Sequence, residues 1–322
     1  MSARFPDEAV VAWFGSLPPD AAPIAGGKGA SLSRMSEAGL PVPPGFIVCA
    51  SAFGTFLNLH GGVELLRHVT GSLDIHDTGA LEAAFARMHD LIVSNPLPTA
   101  LDARIRTAYQ QLGLDVPVAV RSSAASEDGG AASYAGQQET FLNTRGIEAV
   151  LDRLKQCWAS FFAPRALFYR FQKGAPDDTR IAVVVQEMVC ADKSGVMFTM
   201  DPVQKLRDRM VIEAALGLGE GIVSGLITPD HYVVDRDNGA PLREVISCQT
   251  MAVVYDGETG GTRQAALSKE AGSARVLSHA ELNGLRELGL RLEEFFGAPQ
   301  DVEWCMREGQ LLLLQSRPIT TL

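Results

Sequence analysis

The sequence predicts an α+β fold, and three features carry that prediction. Apolar residues recur at three-and-four spacing over 80–94 and 100–112, as in helices that bury one face, with Asn95-Pro96 between them. Short runs rich in β-branched residues at 118–121, 181–188, 196–199 and 210–214 read as strands. The two patterns then interleave. A helical stretch covers 147–172 with an interruption at Pro164, and strand-like segments follow at 231–235, 242–249 and 251–255, with Asp237-Asn238-Gly239 as turn chemistry. A helix over 278–296 opens on a capping box, Ser278 with Glu281. It leads into strands at 301–306 and 310–316, joined as a hairpin through Arg307-Glu308-Gly309.

A chain of 322 residues is long enough for two or three subdomains. The best boundaries fall near 115 and 200, giving segments 1–115, 116–200 and 201–322. With 46% hydrophobic and 20% charged residues the chain folds rather than remaining disordered. Its net charge of −10 argues against nucleic acid or an anionic membrane as partner, so an anionic ligand must be held by local positive charge. The 5 cysteines lie far apart, without a CxxC pair, which suggests neither a disulfide framework nor a zinc site. Reduced thiols, the absence of a signal segment at the N-terminus and the absence of a bilayer-length apolar run together predict a soluble, cytoplasmic protein.

Four stretches could carry chemistry. GGKGASL (26–32) sets Lys28 among glycines, which suits close approach to an anion but equally suits a turn feeding a helix. It is not a Walker A loop, because Ala22 and Gly29 stand where that motif needs Gly and Ser or Thr. VAVRSSAASEDGGAASYAGQQETFLN (118–143) delivers Arg121 into a run of small hydroxyl and glycine residues and returns through Gly136 and Thr140. It can offer phosphate a guanidinium, hydroxyls and N–H groups together; a polar hairpin with Arg121 paired to Glu127 or Asp128 is the equal alternative. The strand beginning IAVVVQEMV (181–189) can read adenine through its backbone or be a plain core strand. DVEWCMREGQLLLLQSRPIT (301–320) brings Glu303 and Gln315 together as hard oxygen ligands for Mg²⁺, with Arg317 adjacent for a phosphate. A carboxylate among Val, Trp, Cys and Met is costly to bury unless paired or metal-bound.

In order along the chain, GGKGASL, GLPVPPGF, VRSSA, SYAGQQETFLN, QEMV, SGVMFTMDP, IEAALGLGEGIVSGLITPDHYVVD and QDVEW with LQSRP resemble the ATP-binding portion of the phosphoenolpyruvate synthase, pyruvate phosphate dikinase and rifampin phosphotransferase family. The resemblance covers nearly the whole chain and implies an ATP-grasp fold, whose subdomains clasp ATP. It implies that Lys28, Arg121 and Arg317 act on the phosphates, that Gly136 and Thr140 line a phosphate-covering loop, and that Gln186 with backbone atoms of Glu187 and Val189 holds adenine. It also implies that Glu303 and Gln315 bind Mg²⁺, with Mn²⁺ as an alternative.

In that family ATP yields AMP, and the β-phosphoryl passes to a histidine on a swivelling domain that delivers it to an acceptor. This chain stops five residues after Arg317. The resemblance therefore implies an ATP-binding subunit that needs a separate phosphohistidine-bearing partner, with phenylphosphate synthase as the model and phenol as the small-molecule acceptor. The alternatives are the nucleotide-binding part of a rifampin phosphotransferase or phosphoenolpyruvate synthase relative, and a non-catalytic nucleotide sensor. The complete-looking start and finish of the chain favour a whole subunit. His279 echoes the family's phosphohistidine segment but falls in the first turn of the capped helix. His231 lies in a Pro-Asp-x-Tyr segment expected to be structural, and Gly217–Gly221 does not complete a GxGxxG fingerprint.

Overall fold

A computed structural model describes residues 10–71, 73–124, 139–172, 174, 178–257 and 260–320. The chain divides into two compact units, Met1–Ala38 with Pro44–Met188, and Gly39–Pro43 with Val189–Leu322. Each mixes helix and sheet, as the interleaved periodicities predict.

The first unit contains, in chain order, β1 (Val11–Trp13), α1 (Ala22–Glu37), β2 (Gly45–Val48), α2 (Ala50–Leu59), α3 (Gly62–Gly71), α4 (Thr78–Ser94), α5 (Thr99–Leu112), β3 (Val118–Ala124), β4 (Thr140–Thr144), α6 (Ile147–Ser160), α7 (Pro164–Gln172) and β5 (Ile181–Glu187). Asp77 caps α4 by accepting from the N–H groups of Gly79 and Ala80. Pro164 opens α7, where its missing N–H costs nothing, and so divides the helical stretch in two. The strands form an antiparallel sheet in the order β1-β2-β5-β3-β4. One face carries Phe46, Val48, Val118, Val120, Val183 and Val185, which join Phe53, Phe56, Trp158 and Phe162 from the helices in the main core. Alternation puts Ile47, Ala119, Arg121, Ser123, Val184 and Gln186 on the other face, and α1 lies against it.

The second unit contains β6 (Lys193–Phe198), β7 (Arg209–Leu216), α8 (Glu220–Val223), β8 (Asp230–Asp235), β9 (Pro241–Val245), β10 (Met251–Tyr255), β11 (Thr262–Ala266), α9 (Lys269–Ser273), α10 (His279–Phe296), β12 (Gln300–Arg307) and β13 (Gln310–Pro318). Its main sheet has the order β13-β12-β6-β7-β8-β9, and β10 pairs with β11 apart from it. The capping box forms as the sequence predicts: the Ser278 hydroxyl accepts from the Glu281 N–H and the Glu281 carboxylate accepts from the Ser278 N–H. His279 is an exposed first-turn residue of that helix. The hairpin closes at Arg307 opposite Gln310, with Glu308 and Gly309 both at positive φ, 52° and 79°. Helix α10 covers the sheet face that carries Lys193, Met197 and Thr199; Lys193 reaches Glu281 at 2.6 Å and Gly289 lies over Met197. The Pro-Asp-x-Tyr segment is structural through its neighbours of His231. Asp230, fully buried, accepts from the N–H groups of Ser247 and Val276 and from the Tyr232 hydroxyl, which ties the two ends of a long excursion to β8. All 5 cysteines are free, and among the described residues no helix is long and apolar enough to cross a membrane.

Candidate functional site

Helix α1 is interrupted inside the glycine-flanked stretch. Gly26 has φ 69° and ψ 172°, so the run 22–37 is two helical pieces, and the second begins at Gly27 and Lys28. The cause is a close approach to β3: a Cβ at position 26 would collide with the carbonyl and hydroxyl of Ser123. The Ser123 hydroxyl then spans the break. It donates to the Ala25 carbonyl at 2.9 Å and accepts from the Gly29 N–H at 3.1 Å. This clasp presents the start of a helix and the Lys28 ammonium at the sheet, where Lys28 Nζ donates to the Ser122 carbonyl at 3.4 Å. A helix start bearing a lysine favours an anion through both its N–H groups and its charge.

The sheet gathers further expected residues on the α1 face. Arg121 is the cross-strand partner of Thr140 on one side and of Val184 on the other. Gln186, buried, lies two positions along β5 from Val184, opposite Ala119 and Gly45. Lys28, Arg121, Thr140 and Gln186 are thus brought together by α1, β3, β4 and β5. Glu187 ends β5, and its N–H donates to the Pro44 carbonyl at 2.9 Å. Gly136, with Glu127 and Asp128, lies outside the described residues.

In the second unit Glu303 on β12 and Gln315 on β13 are direct cross-strand partners, and so are Asp301 and Arg317. A bulge sets both pairings. The hairpin runs in simple register from Arg307–Gln310 to Trp304–Leu313, then skips Leu314, which shifts the register by one. Without the skip Glu303 would face Leu314 and Asp301 would face Ser316, so the bulge is what pairs Glu303 with Gln315 and Asp301 with Arg317. Arg317 Nε and Nη2 both reach Asp301 Oδ2 at 2.8 Å. Burial pushes the Asp301 carboxyl above the usual carboxylate range; Arg317 pulls it back down only in part, and Glu303 pushes it up further. Among the described residues no group of three or more His, Cys, Asp or Glu is arranged to hold a metal. Glu303 and Gln315, a carboxylate and an amide opposite one another, could supply two oxygen ligands to a hard cation such as Mg²⁺. Val189, in this second unit, follows β5, and its carbonyl accepts from the Ala191 N–H at 2.8 Å.

Sequence reasoning missed three features. Ser123 was read only as part of a polar loop, although its spacing from Arg121 puts both on one sheet face. Asp301 was passed over because its meaning depends on the bulged register. Glu213 and His231 lie in the same cross-sheet row as Gln315 and Glu303, with Val196 between, on the face turned from α10. His231 Nδ1 is 3.7 Å from Glu213 Oε1, and both are about one-third exposed. No sequence signal short of the register links residues so far apart.

The model of the family described as pyruvate phosphate dikinase, AMP/ATP-binding domain, matches residues 22–322. Among curated relatives, a protein named "Probable phosphoenolpyruvate synthase" from Methanothermobacter thermautotrophicus is 44% identical over 318 residues, covering 97% of this chain and 46% of the relative. The phosphoenolpyruvate synthase of Pyrococcus furiosus is 36% identical over 358 residues, covering 97% of this chain and 44% of that protein. The rifampicin phosphotransferase of Bacillus cereus is 35% identical over 301 residues, covering 93% and 34% respectively. The chain thus spans less than half the length of each of these relatives.

Two outcomes test the geometry. Gly26→Ala forces a side chain into the Ser123 backbone at positive φ, and should lower stability by about 2 kcal/mol or more, read as a shift of the urea midpoint; an unchanged midpoint contradicts the clasp. A carboxyl raised in the folded state contributes stability that is present below its unfolded pKa and lost as pH rises through its folded value. Arg317→Ala removes the charge that lowers Asp301, so its stability relative to wild type should fall as pH rises above the ordinary carboxylate range. A deficit constant over that rise would contradict the pairing.

Proposed function

Because the chain belongs to the family of the pyruvate phosphate dikinase AMP/ATP-binding domain, we propose that it is the nucleotide-handling part of a dikinase-type phosphotransferase, with ATP as substrate and AMP as product. The fold in this reading is an ATP-grasp. The observation that carries the reading is the bulged alignment of Glu303 with Gln315 beside the Asp301–Arg317 pair. It sets a metal-binding carboxylate and amide next to a cation at the end of one hairpin.

Lys28 and Arg121 hold phosphate oxygens by charge, and Thr140, opposite Arg121, adds a hydroxyl. Gln186 and the end of β5 orient the base. Arg317, kept in place by Asp301, holds the terminal phosphates, and the family resemblance assigns Gly136 a phosphate-binding role as well. Mg²⁺, or Mn²⁺ in its place, held by Glu303 and Gln315, supplies neutralisation of phosphate charge. This division of labour asks the chain for positioning and electrostatics and for no covalent step of its own.

The β-phosphoryl is received by a histidine on a separate partner, which hands it to a small molecule; phenol, as in phenylphosphate synthase, is the acceptor to test first. The names of the relatives support an ATP-dependent phosphotransferase, and a phosphoenolpyruvate synthase or rifampin phosphotransferase arrangement is the second reading. The work of such a protein is cytoplasmic.

With Mg²⁺ and ATP, the chain should form AMP only when a histidine-bearing domain is added, and that domain should gain an acid-labile phosphoryl group. AMP formed at the same rate without any such domain would sink the reading. Arg121→Ala and Arg317→Ala should each weaken ATP binding by about 1.5 to 3 kcal/mol in calorimetry. Glu303→Ala should weaken binding with Mg²⁺ more than without; equal losses would remove its metal role.

A further inference from the structure

We propose that the outer edge of β1 and the exposed stripe of α5 beside it form a docking groove for an extended segment of a partner polypeptide. The segment joins the first sheet as an added strand and sets an acidic side chain on Arg104. The inference is independent of the nucleotide reading.

Strand β1 lies at the end of its sheet, with β2 on one side only. In an antiparallel ladder the N–H and C=O of one residue point to the same neighbour, and successive residues alternate in direction. The Val10 carbonyl accepts from the Cys49 N–H at 3.0 Å, and the Phe14 N–H donates to the Gly45 carbonyl at 3.1 Å. Residues 10, 12 and 14 therefore address β2, while Val11 and Trp13 turn their backbone groups outward. Ser16 takes the Trp13 carbonyl, donating to it from its N–H at 3.1 Å and its hydroxyl at 2.7 Å. Among the described residues nothing meets the Val11 N–H, the Val11 carbonyl or the Trp13 N–H. Such a run of donor, acceptor and donor is what an added strand pairs with.

Helix α5 walls the edge. Val11 and Trp13, both half-buried, share a groove of about 310 Å³ with Ala103, Arg104, Thr107 and Gln111. These four α5 residues stand at i, i+1, i+4 and i+8, a stripe about 12 Å long that matches three to four residues of extended chain. Ala103 and Thr107 are small, which leaves room beside the Trp13 indole for an apolar side chain from every second residue of an added strand. Arg104 is exposed and, among the described residues, meets no carboxylate, whereas its neighbour Arg106 is held by Asp102 and Glu148. A second copy of this chain is the poorer occupant: symmetric pairing of the two edges needs the Trp13 carbonyl that Ser16 already holds, and it brings a second stripe without an acid. A partner segment with alternating apolar residues and one acid satisfies both the open backbone groups and the arginine.

The test selects a phage-displayed pool of random heptapeptides on the full chain, then synthesises the most enriched peptide with both ends capped. That peptide should carry alternating apolar residues and an acid toward one end. By fluorescence anisotropy its Kd should rise about tenfold or more in Val11→Pro, which takes away the outward N–H and leaves the ladder to β2, and about threefold or more in Arg104→Glu. Val11→Ala, which keeps the N–H, should retain binding, and ATP affinity should stay that of wild type in all three variants. Hydrogen exchange at the Val11 and Trp13 amides should slow when peptide binds. No enriched peptide, or one that Val11→Pro binds as tightly as wild type, overturns the inference. If Val11→Pro does not fold, unchanged affinity in Arg104→Glu with unprotected amides overturns it as well. Protection that tracks chain concentration without peptide assigns the edge to a second copy, and peptide binding seen only after removal of residues 1–9 assigns it to this chain's own N-terminal segment; either result overturns the partner.

Discussion

The contact between Gly26 and Ser123 governs the first unit's chemistry. Only a residue without a side chain lets α1 approach β3 this closely, and the approach is what breaks the helix and starts it again at Lys28. The Ser123 hydroxyl then satisfies both sides of the break, so two buried backbone groups that the kink would strand are paired. The lysine, the arginine two residues before Ser123 and the threonine across from that arginine acquire a common setting from this one clasp. The question of why one lysine sits among three glycines has a mechanical answer: the first glycine makes the helix start, and the lysine uses it.

The second unit solves a different problem, that of keeping acidic and basic side chains on a sheet without exposing the core. It does so with a skipped residue. Leu314 drops out of the ladder, and each pair beyond it then matches a partner it can use: carboxylate with amide, carboxylate with guanidinium. Burial holds the Asp301 carboxyl above its usual range even beside Arg317. With an overall charge of −10, the chain can favour an anionic ligand only where positive side chains are locally concentrated, as Lys28 and Arg121 are on the α1 face of the first sheet.

Much of this was legible before any coordinates. The α+β class followed from the two periodicities. The final hairpin was readable because Glu308-Gly309 has turn chemistry and the flanking residues alternate; the capping box was readable because Ser and Glu stand three apart. The glycine-flanked lysine was visible as a motif, but the reason for it was not, since Ser123 is 97 residues away and nothing in local sequence announces a close backbone approach. Register hid the rest. Asp301 and Glu213 look like ordinary surface acids until the bulge and the cross-sheet row are known. Helices α2 and α3 and the short β1 and β2 escaped as well, because brief apolar runs of that kind fit helix and strand equally.

The central claim is that the cations expected to act on phosphate, and the oxygen donors expected to hold a metal, do so when the chain binds a nucleotide. The most direct measurement is an experimental structure of the chain with Mg²⁺ and a non-hydrolysable ATP analogue. The account predicts the ammonium of Lys28 and the guanidinium groups of Arg121 and Arg317 on oxygens of one nucleotide, with the metal on Glu303 and Gln315. An analogue bound with these side chains away from its phosphates, or with the metal held elsewhere, would contradict it.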